Sequence, residues 1–310
     1  MNTKQVHRSR RGFTLMELLV AMVITTIIVA VLVSITGTAI DTWNRGRMEL
    51  RAARQAKAMV DIMATDFESF VSRNYKDSEW LSAEFDTDTG GENANASYLV
   101  FYTAATDRYD GKVGVDGSDL GGDVSCVGYR LKWKDPIGTG SADDFGTFVL
   151  NRVLIDPRET FDELLTQNGG GGTLSNVFST KFGSDLIEDR NFLCENIYQF
   201  TVTFQIEAYD QDVDPPQLYT VPVSVGNEAT MTKNFRVLGQ GLEMDDVSNV
   251  SALDDTELEA GRLSAIEVSI TVMSDGAINL LRRDSSKADD ADWISKNTFN
   301  YSKLVQLPKM

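Results

Sequence analysis

The stretch that decides the fold is GFTLMELLVAMVITTIIVAVLVSITGTAI, residues 12–40. From Phe13 to Ile40 its only charged residue is Glu17. Because a helix rises about 1.5 Å per residue, a helix over this span is longer than the ~30 Å hydrocarbon layer of a bilayer. The pattern therefore predicts a transmembrane helix near the start of the chain.

The residues that flank the apolar run predict its orientation. Arginines at 8, 10 and 11 precede the run and Asp41 follows it, so the N-terminus should stay in the cytoplasm and the rest of the chain should lie outside it. A secretory signal peptide would have an apolar core of only about 7–15 residues and a small-residue cleavage site. The run is about twice that length and is followed by the poor site SITGTAIDTW, so a secretory signal peptide is less favoured. A plain, uncleaved membrane anchor is a second alternative.

The single acid of the run, Glu17, needs an explanation, because an unpaired carboxylate in lipid costs up to about 3.5 kcal/mol on insertion scales. Phe13 and Glu17 are spaced i, i+4 and share one helix face. Glu17 could pair with a group of another protein chain. It also lies only about 6 Å from the helix start, where its side chain could reach the lipid headgroups. Considered alone, the residue leaves both interpretations open.

The segment RRGFTLMELLVAMVI (10–24) resembles the N-terminal signature of type IV prepilins and of the pseudopilins of type II secretion. The resemblance implies that a prepilin peptidase cuts between Gly12 and Phe13 and that Phe13 is then N-methylated. It also implies that Glu17 is the assembly residue. With Gly12 and Phe13 beside it, pairing of Glu17 with the amine of a neighbouring subunit is the favoured interpretation.

An apolar stripe at helical period continues beyond the run. It comprises Met48, Ala52, Ala56, Met59, Met63, Phe67 and Phe70. This pattern places several charged residues of the segment elsewhere on the helix, among them Arg51, Arg54, Lys57, Asp61 and Asp66. The stripe predicts an amphipathic continuation of the helix over 41–74 that packs against the domain that follows.

The rest of the chain alternates between apolar and polar residues as strands do. The predicted strands are SYLVFYT (97–103), VGYRLKW (127–133), TFVLNRVLI (147–155), YQFTVTFQI (198–206), LYTVPV (218–223), NFRVL (234–238) and AIEVSITV (265–272). Few helical patterns interrupt them. We therefore predict an α+β fold of the pilin-like kind, with a long N-terminal helix packed on a β-rich, mostly antiparallel head. Its parts are a cleaved leader (1–12), a transmembrane half-helix (13–40), its amphipathic continuation (41–74) and the head (75–310).

The head also resembles known proteins. The order of VGYRLKW, FVLNRVL, NIYQFTVTFQI and AIEVSITVMSDG is similar to that in J-type minor pseudopilins, and the ending YSKLVQLP is similar to pilin-like proteins of the Verru_Chthon cassettes, subfamily C. The resemblance implies a subunit of a type II secretion pseudopilus-like filament, at its tip, that supports protein export. The implied partners are prepilin peptidase, other major and minor pilin-like subunits and an inner-membrane assembly platform. The implied location is a single pass through the inner membrane with a periplasmic head.

Charge and histidine content exclude several functions. The net charge is −17, and without the four basic residues of the first twelve it is −21, which disfavours binding to nucleic acid. The only histidine is His7, so a processed chain would lack the commonest general base and every Ser-His-Asp arrangement. We expect no enzymatic activity and no cofactor.

Two rival functions remain. One is a minor pilin of a type IV pilus or an uptake filament. The other is a membrane-anchored protein that acts on or binds glycans through carboxylates, which needs two carboxyls about 5–9 Å apart. With 46 acids in the chain, such pairs arise by chance, so the sequence gives this second rival no positive support.

Two acidic loops are weak calcium candidates. Their aspartates are Asp110, Asp116, Asp119, Asp123 in one loop and Asp210, Asp212, Asp214 in the other. The second loop begins like an EF-hand, but the required glycine at the sixth position is Pro215 and the required glutamate at the twelfth is Val221. We expect both loops to be solvated surface. Cys126 and Cys194 each precede a predicted strand, which leaves open either one disulfide or two buried thiols.

Overall fold

The computed structural model describes residues 14–73, 78–86, 96–104, 124–135, 146–166, 172–211, 213–245, 253–284, 286–287 and 290–307. The chain forms two compact units, Met1–Leu50 and Arg51–Met310. The described part of the first unit is helical from Leu15 onward, and helix α1 is assigned to Leu15–Glu68. The second unit contains the last turns of α1 and all the strands.

Helix α1 ends earlier than the sequence pattern predicts. It stops at Glu68 rather than at Asn74, because Phe70 pairs with Thr103 in an antiparallel bridge and the Val71 N–H donates to the Tyr102 carbonyl at 3.0 Å. The chain thus changes from helix to extended backbone as soon as it reaches the sheet.

The head contains two antiparallel sheets. The seven-stranded sheet has the order β5-β4-β3-β2-β1-β8-β9, and its strands are β1 Glu79–Phe85, β2 Ser97–Thr103, β3 Ser125–Lys134, β4 Thr147–Ile155, β5 Phe192–Glu195, β8 Asn234–Leu238 and β9 Gly241–Met244. The four-stranded sheet has the order β11-β10-β6-β7, with β6 Ile197–Asp210, β7 Gln217–Ser224, β10 Arg262–Met273 and β11 Thr298–Gln306. All pairings between these strands are antiparallel. The predicted fold class is confirmed.

The apolar stripe of α1 forms part of the head's core, as predicted, from Ala52 onward. Ala52, Ala56, Met59, Met63, Phe67 and Phe70 are all buried. The Phe67 ring stacks on Phe101 of β2 with centroids 4.4 Å apart. Met48 is 37% exposed and belongs to the first unit, so the stripe is shorter at its start than the spacing suggests.

Helix α2, Leu174–Leu186, covers the opposite face of the seven-stranded sheet. Its Phe178 ring lies where a side chain on Gly128 would have to go, since a Cβ built there would approach the ring to 2.6 Å. A side chain at 128 would therefore force the Phe178 ring to move, and glycine allows the close approach of helix and strand.

Several elements were not predicted. Strands β1, β5 and β9 and the helices α2, α3 (Asp255–Glu259), α4 (Asp275–Arg283) and α5 (Ala291–Asn297) were missed. Further short helical segments are Pro157–Glu159, Thr160–Leu165 and Asp189–Asn191. The head is thus richer in helix than the expectation of few helical patterns implied.

Candidate functional site

The start of α1 carries the residues that the sequence singled out. Gly12 and Phe13 lie outside the described residues, so the structure says nothing about the predicted cleavage and methylation positions. Thr14 is the first residue described, and it directly precedes the first helical residue, Leu15.

Thr14 and Glu17 form a reciprocal cap at this helix start. The Glu17 N–H donates to the Thr14 hydroxyl oxygen at 3.3 Å, and the Thr14 N–H donates to Glu17 Oε2 at 2.9 Å. This is the capping-box arrangement, in which two backbone donors that the helix leaves without partners are satisfied by side chains. Glu17 therefore has a role inside its own chain that the sequence argument did not consider, and its second carboxylate oxygen is not part of the cap.

The helix surface from residue 14 to residue 50 is exposed throughout, apart from half-buried Gly46. Within the described part of the chain, α1 is the one helix long and apolar enough to cross a membrane, and none of its most apolar window is buried. An apolar surface of this extent is far larger than soluble proteins leave in water. A single long apolar helix near the N-terminus fits a membrane anchor.

Five threonine hydroxyls of the same segment are bonded within the helix. The hydroxyls of Thr25, Thr26, Thr36, Thr38 and Thr42 each donate to the carbonyl four residues earlier, at 2.8–3.1 Å. In hydrocarbon, where no water is available, such bonds remove the cost of bare hydroxyl groups. The threonines are thus compatible with a lipid environment.

A buried charged cluster, which the sequence argument missed, holds the end of α1 to the head. Asp66 accepts two hydrogen bonds from Arg152 of β4, from Nη2 at 2.7 Å and from Nε at 2.8 Å, and it also accepts a hydrogen bond from the Tyr129 hydroxyl of β3. Asp66 is 1% exposed and Arg152 is fully buried. The placement of Asp66 away from the apolar stripe was therefore wrong.

Burial and a neighbouring charge keep the Tyr129 hydroxyl of this cluster protonated. Burial, reinforced by the adjacent Asp66 carboxylate, raises the pKa of the Tyr129 hydroxyl well above its usual range. The tyrosine thus stays a neutral donor, while the bidentate arginine compensates the charge of Asp66. Such an arrangement anchors two elements and offers no exposed reactive group.

The acidic loops fall mostly outside the described residues. Asp110, Asp116, Asp119, Asp123 and Asp212 are not described. Asp210 ends β6, opposite Gln217, and Asp214 lies in the following turn. Within the described ranges, no group of three His, Cys, Asp or Glu side chains is arranged to hold a metal ion.

The two cysteines are both free and buried in the structure. Cys126 pairs with Ile155 and Cys194 pairs with Leu150, on the two sides of β4. Five residues of strand separate these positions by about 16 Å, well beyond the ~7 Å limit for the Cα atoms of a disulfide. The disulfide considered from the sequence is therefore not formed. Burial raises the pKa of both thiols, that of Cys194 to about 12.

The match to a protein-family model concerns the N-terminal segment. Residues 7–33 match the family model described as the prokaryotic N-terminal methylation motif. Among curated proteins, none was found to match the chain. The matched segment contains Gly12, Phe13 and the capped Glu17, and it implies processing by prepilin peptidase followed by pilin-like assembly. The chain thus carries a class III signal of the prepilin and pseudopilin type, the signal that marks type IV pilin-like proteins.

Proposed function

We propose that this chain is a non-enzymatic minor pseudopilin. After leader cleavage and N-methylation it assembles into a type II secretion pseudopilus-like filament, at the tip, and supports protein export. The observation that carries the proposal is the combination of a methylation motif at 7–33 with a helix whose first half is exposed on all sides in the described part of the chain. Such a helix has to be buried in lipid before assembly and among neighbouring helices afterwards.

Glu17 links these two states. In the single chain, one carboxylate oxygen is occupied by the Thr14 cap. Cleavage after Gly12 would create a positively charged amine on Phe13, and in a stack of staggered helices the carboxylate could pair with that amine on a neighbouring subunit. Because an unpaired charge is costly in lipid, this pairing would favour assembly over the isolated chain.

The head supports the finer assignment to a minor pseudopilin. Two of the four strands that resemble J-type minor pseudopilins, VGYRLKW and FVLNRVL, contribute Tyr129 and Arg152 to the cluster around Asp66. The resemblance therefore covers residues that join helix to head, and not surface positions alone. A minor pilin of a type IV pilus has the same N-terminal signal and is the competing assignment.

The proposed location follows from the charges that flank the helix. Basic residues precede the apolar run, so we place the N-terminus in the cytoplasm, the helix in the inner membrane and the head in the periplasm. The proposed partners are prepilin peptidase, other major and minor pilin-like subunits and the inner-membrane assembly platform. We propose no catalytic role, since the only histidine lies in the leader.

The central test is co-expression of the full chain with a prepilin peptidase, followed by mass analysis of the mature N-terminus. We expect a chain that begins with N-methylated Phe13. A Gly12→Ala variant serves as the control and should keep its leader. A mature chain that starts anywhere else would contradict the proposal.

Assembly is tested by variants that separate the two roles of Glu17. Glu17→Gln retains a side chain suited to the capping box but loses the charge, whereas Thr14→Ala keeps the charge and removes the cap. We expect Glu17→Gln to be processed normally but to enter filaments much less than the wild type, and Thr14→Ala to have the smaller effect. Filament-associated protein is measured after shearing. If Thr14→Ala is the more damaging change, the cap and not the ion pair drives assembly.

Secretion separates the two filament assignments. Deletion of the chain should reduce export of folded proteins if it serves a type II secretion system, and should leave twitching and DNA uptake unchanged. Loss of twitching or uptake with normal export would favour the type IV pilus.

A further inference from the structure

An open groove lies on α1 at the point where its apolar run ends. It has a volume of about 760 Å³, and its lining extends from Ser34 to Leu50. Gly46 leaves open space in it, since a Cβ built there would meet nothing within 4 Å. The volume falls in the range of ~300–1,000 Å³ that is usual for sites that bind small molecules.

The groove combines an apolar lining with a single cation. Trp43 is 68% exposed and Leu50 62% exposed, and both line it. The hydroxyls of Thr38 and Thr42, which also line it, already donate to backbone carbonyls of the helix. Arg47 is the one charged residue in this lining. A ligand that fits therefore has an apolar part and an anionic group.

The thickness of a bilayer places this groove at a membrane surface. Trp43 and Arg47 follow Glu17 by 26 and 30 residues, so they lie about 39 Å and about 45 Å from it along the helix axis. A bilayer with both headgroup layers is about 40–45 Å thick, and a tilt of about 20° shortens these spans by only ~2–3 Å. When the charged Glu17 lies in one headgroup layer, Trp43 and Arg47 therefore reach the other.

The chemistry of these two side chains suits that layer. Tryptophan is enriched where hydrocarbon meets headgroups, and the planar guanidinium of arginine binds phosphate with two parallel hydrogen bonds. Trp43 and Arg47 are spaced i, i+4 and share one helix face. Among the described residues Arg47 has no ion-pair partner, whereas Arg51 is bound to Asp275 at 2.8 Å. The charge of Arg47 is therefore available to a ligand.

A second arginine of the same turn differs from Arg47 in its surroundings. Arg45 precedes Arg47 by two residues, so it lies on the opposite helix face. Asp41 and Glu49 flank it at i−4 and i+4 and share that face. Arg45 does not line the groove. The uncompensated positive charge is thus directed to the groove side of the helix.

We propose that this groove binds one anionic phospholipid of the leaflet on the head side of the membrane. The phosphate binds Arg47, the glycerol region lies beside Trp43, and an acyl chain follows the apolar lining toward Ser34. A zwitterionic lipid is a weaker ligand, because its own cationic group competes with Arg47 for the phosphate. The proposal requires a membrane-anchored helix and does not depend on the filament.

Quenching of Trp43 fluorescence by brominated lipid tests the site. The full chain is reconstituted into vesicles of phosphatidylcholine and phosphatidylglycerol in equal amounts, with bromine on the acyl chains of either one or the other. A Trp43→Phe variant gives the signal of the other tryptophans, which is subtracted. We expect brominated phosphatidylglycerol to quench Trp43 several-fold more strongly than brominated phosphatidylcholine does.

Three variants separate a built site from general attraction to an anionic surface. Arg47→Gln should abolish the difference between the two lipids. Arg45→Gln makes the same charge change on the opposite face and should leave the difference intact. Gly46→Leu keeps both arginines but fills the groove, and it should also reduce the difference several-fold.

Equal quenching of the wild type by the two lipids would overturn the proposal. Equal losses in Arg45→Gln and Arg47→Gln would overturn it too, because they would indicate diffuse attraction, and so would an unchanged difference in Gly46→Leu. Excess soluble glycerophosphate should leave the difference intact. If it removes the difference, the arginine binds phosphate without the lipid and the groove is not the site. Each of these failures would leave the filament proposal untouched.

Discussion

Apolar side chains are exposed in the part of α1 up to Leu50, whereas they are buried in the core of the unit Arg51–Met310. Leu50 is 62% exposed, yet Ala52, two residues later, is 4% exposed. In the first region the helix satisfies only its own backbone and hydroxyl groups, while in the second it contributes to a closed core. A single helix thus has two different surroundings along its length. Only the part in the second region is stabilised by contacts with other elements of the chain.

This comparison predicts that similar substitutions will differ in effect between the two regions. The strongest case is Asp66→Ala, which leaves the buried Arg152 charge without its carboxylate. Loss of one partner of a buried ion pair costs about 3–5 kcal/mol. We expect a reduction of that size in the unfolding free energy of the head, measured by urea unfolding of the full chain in detergent with tryptophan fluorescence.

Two controls sharpen this prediction. Asp61→Ala removes an exposed ion pair with Lys303 from the same helix and should cause little measurable change. The double variant Asp66→Leu/Arg152→Met replaces the pair by apolar groups and should recover much of the lost stability. If Asp61→Ala and Asp66→Ala are equally harmful, the buried cluster is not the anchor described above.

Glycine substitutions should give a smaller difference in stability between the two regions. Gly128→Ala places a methyl group 2.6 Å from the Phe178 ring, and such overpacking costs about 1–3 kcal/mol. A Cβ at Gly46 in the exposed helix meets nothing within 4 Å. We therefore expect Gly128→Ala to lower the midpoint of thermal unfolding of the head and Gly46→Ala to leave it unchanged. An effect of Gly46→Ala on the head would show that the two regions are not independent.

The smallest expected effect concerns the pH dependence of the head. Burial raises the pKa of the Glu79 carboxyl, although the Leu174 N–H at 2.7 Å and the nearby Arg236 act in the opposite direction. The folded state therefore favours the protonated acid. The contribution of protonated Glu79 to stability is complete below the pKa of this residue in the unfolded chain, about 4.3. It is lost as the pH rises through the pKa of Glu79 in the folded state.

Glu79→Gln should remove this dependence. Relative to the variant, the wild type should lose stability as the pH rises above the unfolded pKa of about 4.3 and through the raised pKa of the folded state, measured as the difference in unfolding free energy at each pH. If the wild type instead gains stability over the variant as the pH rises, the attraction of Arg236 for the Glu79 carboxylate outweighs the effect of burial.

The features that the sequence predicted correctly are those with strong local patterns. The apolar run and the strand-forming segments are visible in a few consecutive residues, and β2, β4 and β8 were predicted to the residue. The predictions at Gly12, Phe13 and Glu17 come from a short motif and remain predictions for experiment. The structure adds to them the cap between Thr14 and Glu17, for which Thr-x-x-Glu before an apolar run was the available signal.

The features that were missed depend on partners far away in the chain. Asp66 resembled an ordinary solvated residue because Arg152, which neutralises it, lies 86 positions later. The visible signal was a charged residue in the middle of the apolar strand TFVLNRVLI. Strand β1 was missed because Glu79 and Glu84 interrupt its pattern, although the Leu174 N–H and the Ser175 hydroxyl bind them. The cysteine pairing could not be judged without the strand register.

The distance along the chain between Asp66 and Arg152 also has a consequence for the order of synthesis. The ribosome makes α1 first, and its end cannot be locked in place until β4 has followed. Until then the Asp66 carboxylate lacks its partner in the buried cluster. The anchor that joins helix to head therefore depends on two residues that the chain supplies far apart in time.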